Sequence, residues 1–307
     1  MKILLQLSTL LAAAALVAPA YADTPSTSFD INSIHVDKYG AGAQPSSTSS
    51  QPALILIPGL TNSAAVWGPT IHRYAGTYTV YALTLAGFGG RSPAARPRLD
   101  AADADIVALI QKEHIDKPVL IGHSMGGHLA LRLAAEHSPL LRGAIAVDGL
   151  PVFPGLENMT PDQRSAAASK MVAQIKSAST PEQFMQAERT YVVPNLTLAK
   201  NVDTVTQFSK GADLNATADY MRELVTTDER PQLTQVTIPV LEIAPYDPTL
   251  ENESFANAAA KQVYYQGLLK NDKTVTVKMV QGSRHFIMWD QPDAFYADVD
   301  AFLATLK

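Results

Sequence analysis

At 307 residues the chain is longer than an average domain, yet within the range of one α/β sheet carrying an insertion. Its 47% hydrophobic and 17% charged residues exclude a disordered chain and a multi-spanning membrane protein. The formal net charge of -5, with Lys and Arg scattered among acidic residues, excludes a phosphate-tracking face and with it nucleic acid as a partner.

The chain begins with Met1 and Lys2, an apolar run over residues 3–18, and then Ala20-Tyr21-Ala22. These are the charged, apolar and small-residue parts of a secretory leader, with cleavage expected after Ala22 and no stable membrane anchor afterwards. Gln6, Ser8 and Thr9 interrupt the apolar run and argue against a retained anchor helix. With no cysteine there is neither a disulfide nor a lipid-modified Cys, so the expected location is a bacterial periplasm or the exterior.

Residues 23–52 read as a linker with one edge strand around 29–36. Short, β-branched apolar runs then follow at 53–57, 79–83, 119–121, 144–147, 240–243 and 275–280. Unalternated runs of this length suit strands buried on both faces of a parallel sheet. Residues 101–114, 124–137 and 291–306 carry helical spacing between or after them, so a βαβ series with right-handed crossovers is predicted. The series breaks between Leu150 and Pro231, where helical patterns follow one another and Pro151, Pro154, Pro161, Pro181 and Pro194 punctuate the chain. A structureless loop of that length is improbable, so an inserted helical cap is expected. The predicted organisation is a leader (1–22), a core in two parts (23–150 and 232–307) and the cap between them (151–231).

The strongest local signal is Val119-Leu120-Ile121-Gly122-His123-Ser124-Met125-Gly126-Gly127, a strand running through Gly-x-Ser-x-Gly into a helix. A sharp strand-to-helix turn strains the serine backbone and lifts its hydroxyl clear of the sheet. The helix start leaves unpaired N–H groups, among them that of Met125, where an oxyanion would form. A second donor is expected from the loop Ile57-Pro58-Gly59-Leu60-Thr61, and the Leu60 N–H is the candidate. The competing reading is a Gly-rich packing turn with an inert serine.

A serine hydroxyl needs a general base, itself held by a carboxylate. His285 follows the last predicted strand and precedes the closing helix, as such a base should. His35, His72, His114 and His137 read as solvated or core-satisfied residues. His123 and His128 flank the turn and are expected to pack or line a pocket. Two carboxylates sit at strand ends between Ser124 and His285: Asp247, in a Pro-flanked turn after 240–243, and Asp148, after 143–147. Asp247 is preferred, because the loop after the penultimate strand neighbours the loop after the last one. Asp148 is then expected to brace the cap entrance.

These segments together resemble the α/β-hydrolase superfamily, in particular its capped esterase-like and lipase-like members. The resemblance covers about residues 53–150 and 231–306. Ile57-Pro58-Gly59 through Trp67 looks like the family's oxyanion loop, LAGFGGRSP at 85–93 like its Gly-x-Gly-x-Ser loop, residues 239–248 like its acid segment, and Ser283-Arg284-His285-Phe286 with Gln291-Pro292 like its histidine segment. Pro58 stands where the family usually has His, Gly90 lengthens the second loop, and Arg284 stands where Gly often precedes the histidine. The resemblance implies a mostly parallel central sheet flanked by helices, a cap, no cofactor and no metal. The expected activity is acyl transfer from a small or medium apolar ester through Ser124, Asp247 and His285. The cap residues Phe153, Met159, Met171, Phe184, Met185, Tyr191 and Phe208 are candidates for an acyl pocket. The rival readings are perhydrolase or lyase chemistry on the same triad, and a ligand-binding protein without turnover.

Overall fold

The structure is a computed structural model and describes residues 23–40, 51–251 and 254–306. The leader expected over 1–22, and most of the loose stretch after Gly40, lie outside the described residues.

Eight strands form one sheet: β1 (Thr27–Ile31), β2 (Ile34–Tyr39), β3 (Leu54–Ile57), β4 (Val80–Thr84), β5 (Val119–His123), β6 (Gly143–Val147), β7 (Val240–Tyr246) and β8 (Val275–Gln281). Their spatial order is β1-β2-β4-β3-β5-β6-β7-β8. β1 pairs with β2, and β2 with β4, in antiparallel fashion, and every other neighbouring pair is parallel. The mostly parallel sheet expected from the apolar runs is therefore present.

Two details differ from the sequence reading. The one edge strand expected near 29–36 is a hairpin, because Asn32 takes φ 48 and turns the chain so that Ile31 pairs with Ile34. The run at 275–280 is an edge strand rather than a fully buried one. Val277 and Val280 face the core, while Thr276 and Lys278 are exposed.

Every residue of β3 to β7 is buried. Side chains alternate between two cores, as the two-residue period of a strand requires. Ile55, Ile57 and Leu120 pack on one face with Ile106, Leu129 and Leu133 from the helices Arg98–Lys112 and Met125–Glu136. Leu54, Val119, Ile145 and Leu241 pack on the other with Ile71, Val299 and Leu303. Each fully buried Leu or Ile side chain contributes about 1.5–3 kcal/mol of hydrophobic stabilisation.

Between β6 and β7 the chain runs through the helices Pro161–Lys176, Pro181–Ala187, Val193–Leu196, Val202–Gln207 and Leu214–Thr226, with a π-helical turn at Glu188–Val192. Three of the five prolines that break the sequence pattern, Pro161, Pro181 and Pro194, lie in the first turn of a helix. Thr160 and Thr180 each accept the amide of a Gln three residues on, with Pro161 and Pro181 filling the first helical position. This insertion is tied to the core by the buried pair Arg98 Nη2–Asp219 Oδ2 at 2.7 Å, and by the Leu99 amide, which donates to Glu223 at 2.7 Å.

Candidate active site

Ser124 stands between β5 and the helix Met125–Glu136 with φ 55 and ψ -117. Such a backbone costs a non-glycine residue about 1–3 kcal/mol. The surroundings hold it in place. Its amide donates to Val147 O at 2.9 Å, and its carbonyl accepts the His128 amide at 2.9 Å. Both flanking glycines are required by close backbone approach: a Cβ on Gly122 would lie 2.0 Å from Gly126 O, and one on Gly126 would lie 2.2 Å from Ile57 O.

Ser124 opens into a cavity of about 440 Å³ that it shares with Leu60, Met125, Asp148 and His285. Five of the residues singled out from sequence therefore meet here. Asp247 does not.

The carboxylate beside His285 is Asp148. The His285 Nδ1–H donates to Asp148 Oδ2 at 2.5 Å, which leaves Nε2 as the ring nitrogen able to take a proton. Tyr265, on the helix Ala258–Leu269, donates its hydroxyl to Asp148 Oδ1. Burial alone would raise the Asp148 pKa, but the His285 charge and hydrogen bond, with Lys261 and the Tyr265 hydroxyl, outweigh it and hold the pKa at about 2. The group stays an acceptor at neutral pH.

The preference for Asp247 is thus corrected, and the reason is the length of β7. Val147 pairs with Ile243, and the Asp148 amide donates to Ile243 O, so Asp148 is level with Ala244. β7 continues to Tyr246, which carries Asp247 three residues past that level, or about 10 Å along the strand. Asp148 also takes φ 49, a turn out of the strand. Asp247 instead accepts the Arg284 Nε at 2.7 Å and the Thr249 amide and hydroxyl at 2.9 and 2.7 Å. Burial opposes ionisation of Asp247, but those hydrogen bonds prevail and its pKa is lowered. Arg284 also donates to the carbonyls of Pro194 and Thr197. The Asp247–Arg284 pair is therefore a clasp between the loop after β8 and the helical insertion, while Asp148, expected to brace the entrance, faces the histidine.

Leu60 belongs to a turn closed by the Asn62 amide on Gly59 O at 3.1 Å. Gly59 sits so close to the strained turn that a Cβ there would be 3.2 Å from Ser124 Cβ. Leu60 and Met125 both line the cavity beside Ser124. The first amides of a helix have no intrahelical acceptor, so the Met125 N–H is available to a developing oxyanion.

His123 and His128 both pack and line the cavity, as expected. His123 Nε2–H donates to His285 O at 3.0 Å, and its ring lies 4.6 Å from that of His285. Burial and the His285 charge lower its pKa to about 3, so it is neutral. His128 donates from Nδ1 to Leu150 O at 2.9 Å, and burial lowers its pKa too.

Of the seven apolar candidates for a pocket, Phe153 and Phe184 line the cavity. Phe208 stacks against Trp289 at 5.1 Å, and Tyr191 is 74% exposed. Helix face, which composition does not reveal, decides between these fates. Sequence reasoning also missed Tyr265, which shows no signal beyond its place four residues after Lys261, and Glu188, a charged residue in an otherwise apolar part of the wall.

Among the described residues, Asp103, Glu136 and His137 bring three potential metal-ligand atoms within 4.8 Å of one another. Arg132 pairs with Asp103 at 3.1 Å and Glu136 at 3.3 Å, placing a guanidinium where a cation would sit. None of the three lines the cavity.

The sequence profile described as "Alpha/beta hydrolase family" matches residues 54–299. An N-formylmaleamate deformylase of Pseudomonas putida is 38% identical over 105 residues, which is 34% of this chain and 39% of that protein. A 2-(acetamidomethylene)succinate hydrolase of Mesorhizobium japonicum is 28% identical over 130 residues, 42% of this chain and 46% of that one. In both cases the match spans less than half of the relative's length. Among solved structures, an esterase from Exiguobacterium antarcticum superposes with a TM-score of 0.70 at 17% identity, covering 89% of this chain and 98% of that one.

Proposed function

Because the chain belongs to the alpha/beta hydrolase family, we propose that it is a serine hydrolase that cleaves a carboxylic ester through an acyl-enzyme on Ser124. The observation that carries this reading is the hydrogen bond from His285 Nδ1 to Asp148, beside a serine held at positive φ in the same cavity.

In this mechanism His285 Nε2 takes the Ser124 proton as Oγ attacks the acyl carbon. The Leu60 and Met125 amides receive the oxyanion, and His285 returns the proton to the leaving alcohol. Water then attacks the acyl-enzyme with the same base. Asp148 keeps the imidazole in the reactive tautomer and balances the imidazolium. The cavity, at about 440 Å³, has the size of a small-molecule site. No Lys or Arg is among the described residues that line it, so a substrate carboxylate would meet no permanent cation there. The acidic maleamate and succinate derivatives named for the two relatives therefore do not match this lining.

The deformylase relative favours a second reading, cleavage of an amide C–N bond by the same groups. Both readings are tested by Ser124→Ala. Fluorophosphonate labelling and turnover of a p-nitrophenyl ester panel should vanish while the circular dichroism spectrum is unchanged. Full labelling of another serine in the variant would overturn the assignment. Turnover of N-formyl amides but of no ester would move the activity to the second reading.

A further inference from the structure

The cavity wall holds one charged side chain that the mechanism above does not use, Glu188. It begins the π-helical turn Glu188–Val192, where the Val193 amide reaches back five residues to Glu188 O. Single π turns inside helical segments recur at functional sites, because the extra residue re-aims a side chain. Here Phe184, Glu188 and Val192 follow at four-residue spacing and all line the cavity, so one face of this segment forms its wall.

No described residue pairs with the Glu188 carboxylate. Its neighbour Arg189 is engaged elsewhere, with Nε donating to Asp203 at 2.8 Å. The other carboxylate of the cavity, Asp148, is already balanced by His285 and Tyr265. Burial, with no charged neighbour contributing, raises the Glu188 pKa to about 7. Glu188 is half-buried in this apolar wall, so its carboxyl is left to water or to whatever enters the cavity. The residues lining the cavity include Phe153, Phe184 and Phe286, and aromatic faces attract alkylammonium groups.

Resting on the serine-hydrolase reading, we propose that Glu188 is the specificity-determining residue of this cavity and holds an ammonium group carried by the substrate ester. An entering cation displaces the Glu188 proton to solvent and forms a charge-assisted contact, so it is selected over a neutral group of the same shape.

The experiment compares two isosteric pairs. Butyrylthiocholine is set against its neutral 3,3-dimethylbutyl thioester, and p-nitrophenyl 4-(trimethylammonio)butanoate against p-nitrophenyl 5,5-dimethylhexanoate. These place the cation on the leaving and acyl sides respectively. At least one pair should favour the cation in kcat/KM by on the order of 10-fold or more, the range of a quaternary cation held out of water by a carboxylate and an aromatic face. In Glu188→Gln that ratio should fall to about one, and Glu188→Asp should retain part of it. The ratio reports specificity rather than folding, since both members of a pair are read on the same protein. Turnover of the neutral esters without a cation preference in either pair, or a preference that persists in Glu188→Gln, would overturn the proposal while leaving the hydrolase reading intact. No turnover of any of the four would overturn the cation proposal, and only if the p-nitrophenyl ester panel and fluorophosphonate labelling also fail would the hydrolase reading fall with it.

Discussion

Replacing Asp148 by Asn separates the two carboxylates by their chemistry. Asp148 accepts two donors, His285 Nδ1 at 2.5 Å and the Tyr265 hydroxyl. Asn offers one acceptor oxygen and an NH₂ group. If its oxygen serves His285, the NH₂ faces the tyrosine; if its NH₂ faces His285, the imidazole is driven into the tautomer that protonates Nε2 and cannot accept the serine proton. In serine triads this loss is on the order of 10⁴ in turnover, or about 5 kcal/mol at about 1.36 kcal/mol per decade. Asp247→Asn leaves an acceptor for Thr249 but removes the charge facing Arg284. It should cost about 1.5–3 kcal/mol of stability and less than about tenfold in kcat/KM. The assay is p-nitrophenyl butyrate hydrolysis at pH 8 on both variants, with thermal melts alongside. A large turnover loss in Asp247→Asn, with little in Asp148→Asn, would refute the assignment drawn from the geometry.

Tyr265→Phe removes one donor to Asp148 without touching the histidine, so kcat should drop by about tenfold with KM little changed, read from full saturation curves. Gly126→Ala places a Cβ against the Ile57 carbonyl at 2.2 Å, and should lower stability by about 3 kcal/mol or prevent folding, measured by urea denaturation. Glu242 on β7 is fully buried, and burial first, then the Asp148 charge, pushes its pKa well above the usual carboxylate range. A carboxyl raised on folding binds more protons in the native state, so its contribution to stability declines as pH rises above the unfolded value near 4.5. Glu242→Gln should remove that decline. The variant's melting temperature should gain on the wild type from pH 5 to pH 8, and parallel curves would show that Glu242 does not titrate.

Local chemistry was enough to locate Ser124, because strain at a strand-to-helix turn demands glycines on both sides and those glycines are visible in sequence. His285 was legible from its place after the last apolar run and before the closing helix. The strands β3 to β7 could be read because burial on both faces requires unbroken apolar runs, whereas the hairpin at Asn32 hid inside a short polar alternation.

Only the tertiary structure decided which carboxylate faces the histidine. Asp148 and Asp247 both end apolar runs, and the chain order admits either. The choice depends on how far β7 extends past its neighbour in register, and on Arg284 capturing Asp247, neither of which a one-dimensional pattern encodes. Tyr265 and Glu188 were likewise silent, since one reaches the site from a helix 117 residues after Asp148 and the other through a π turn that re-aims a helix face. Sequence specifies what each segment can bury and where the backbone is strained. Which side chains then meet is set by strand register and helix rotation, summed over the whole sheet.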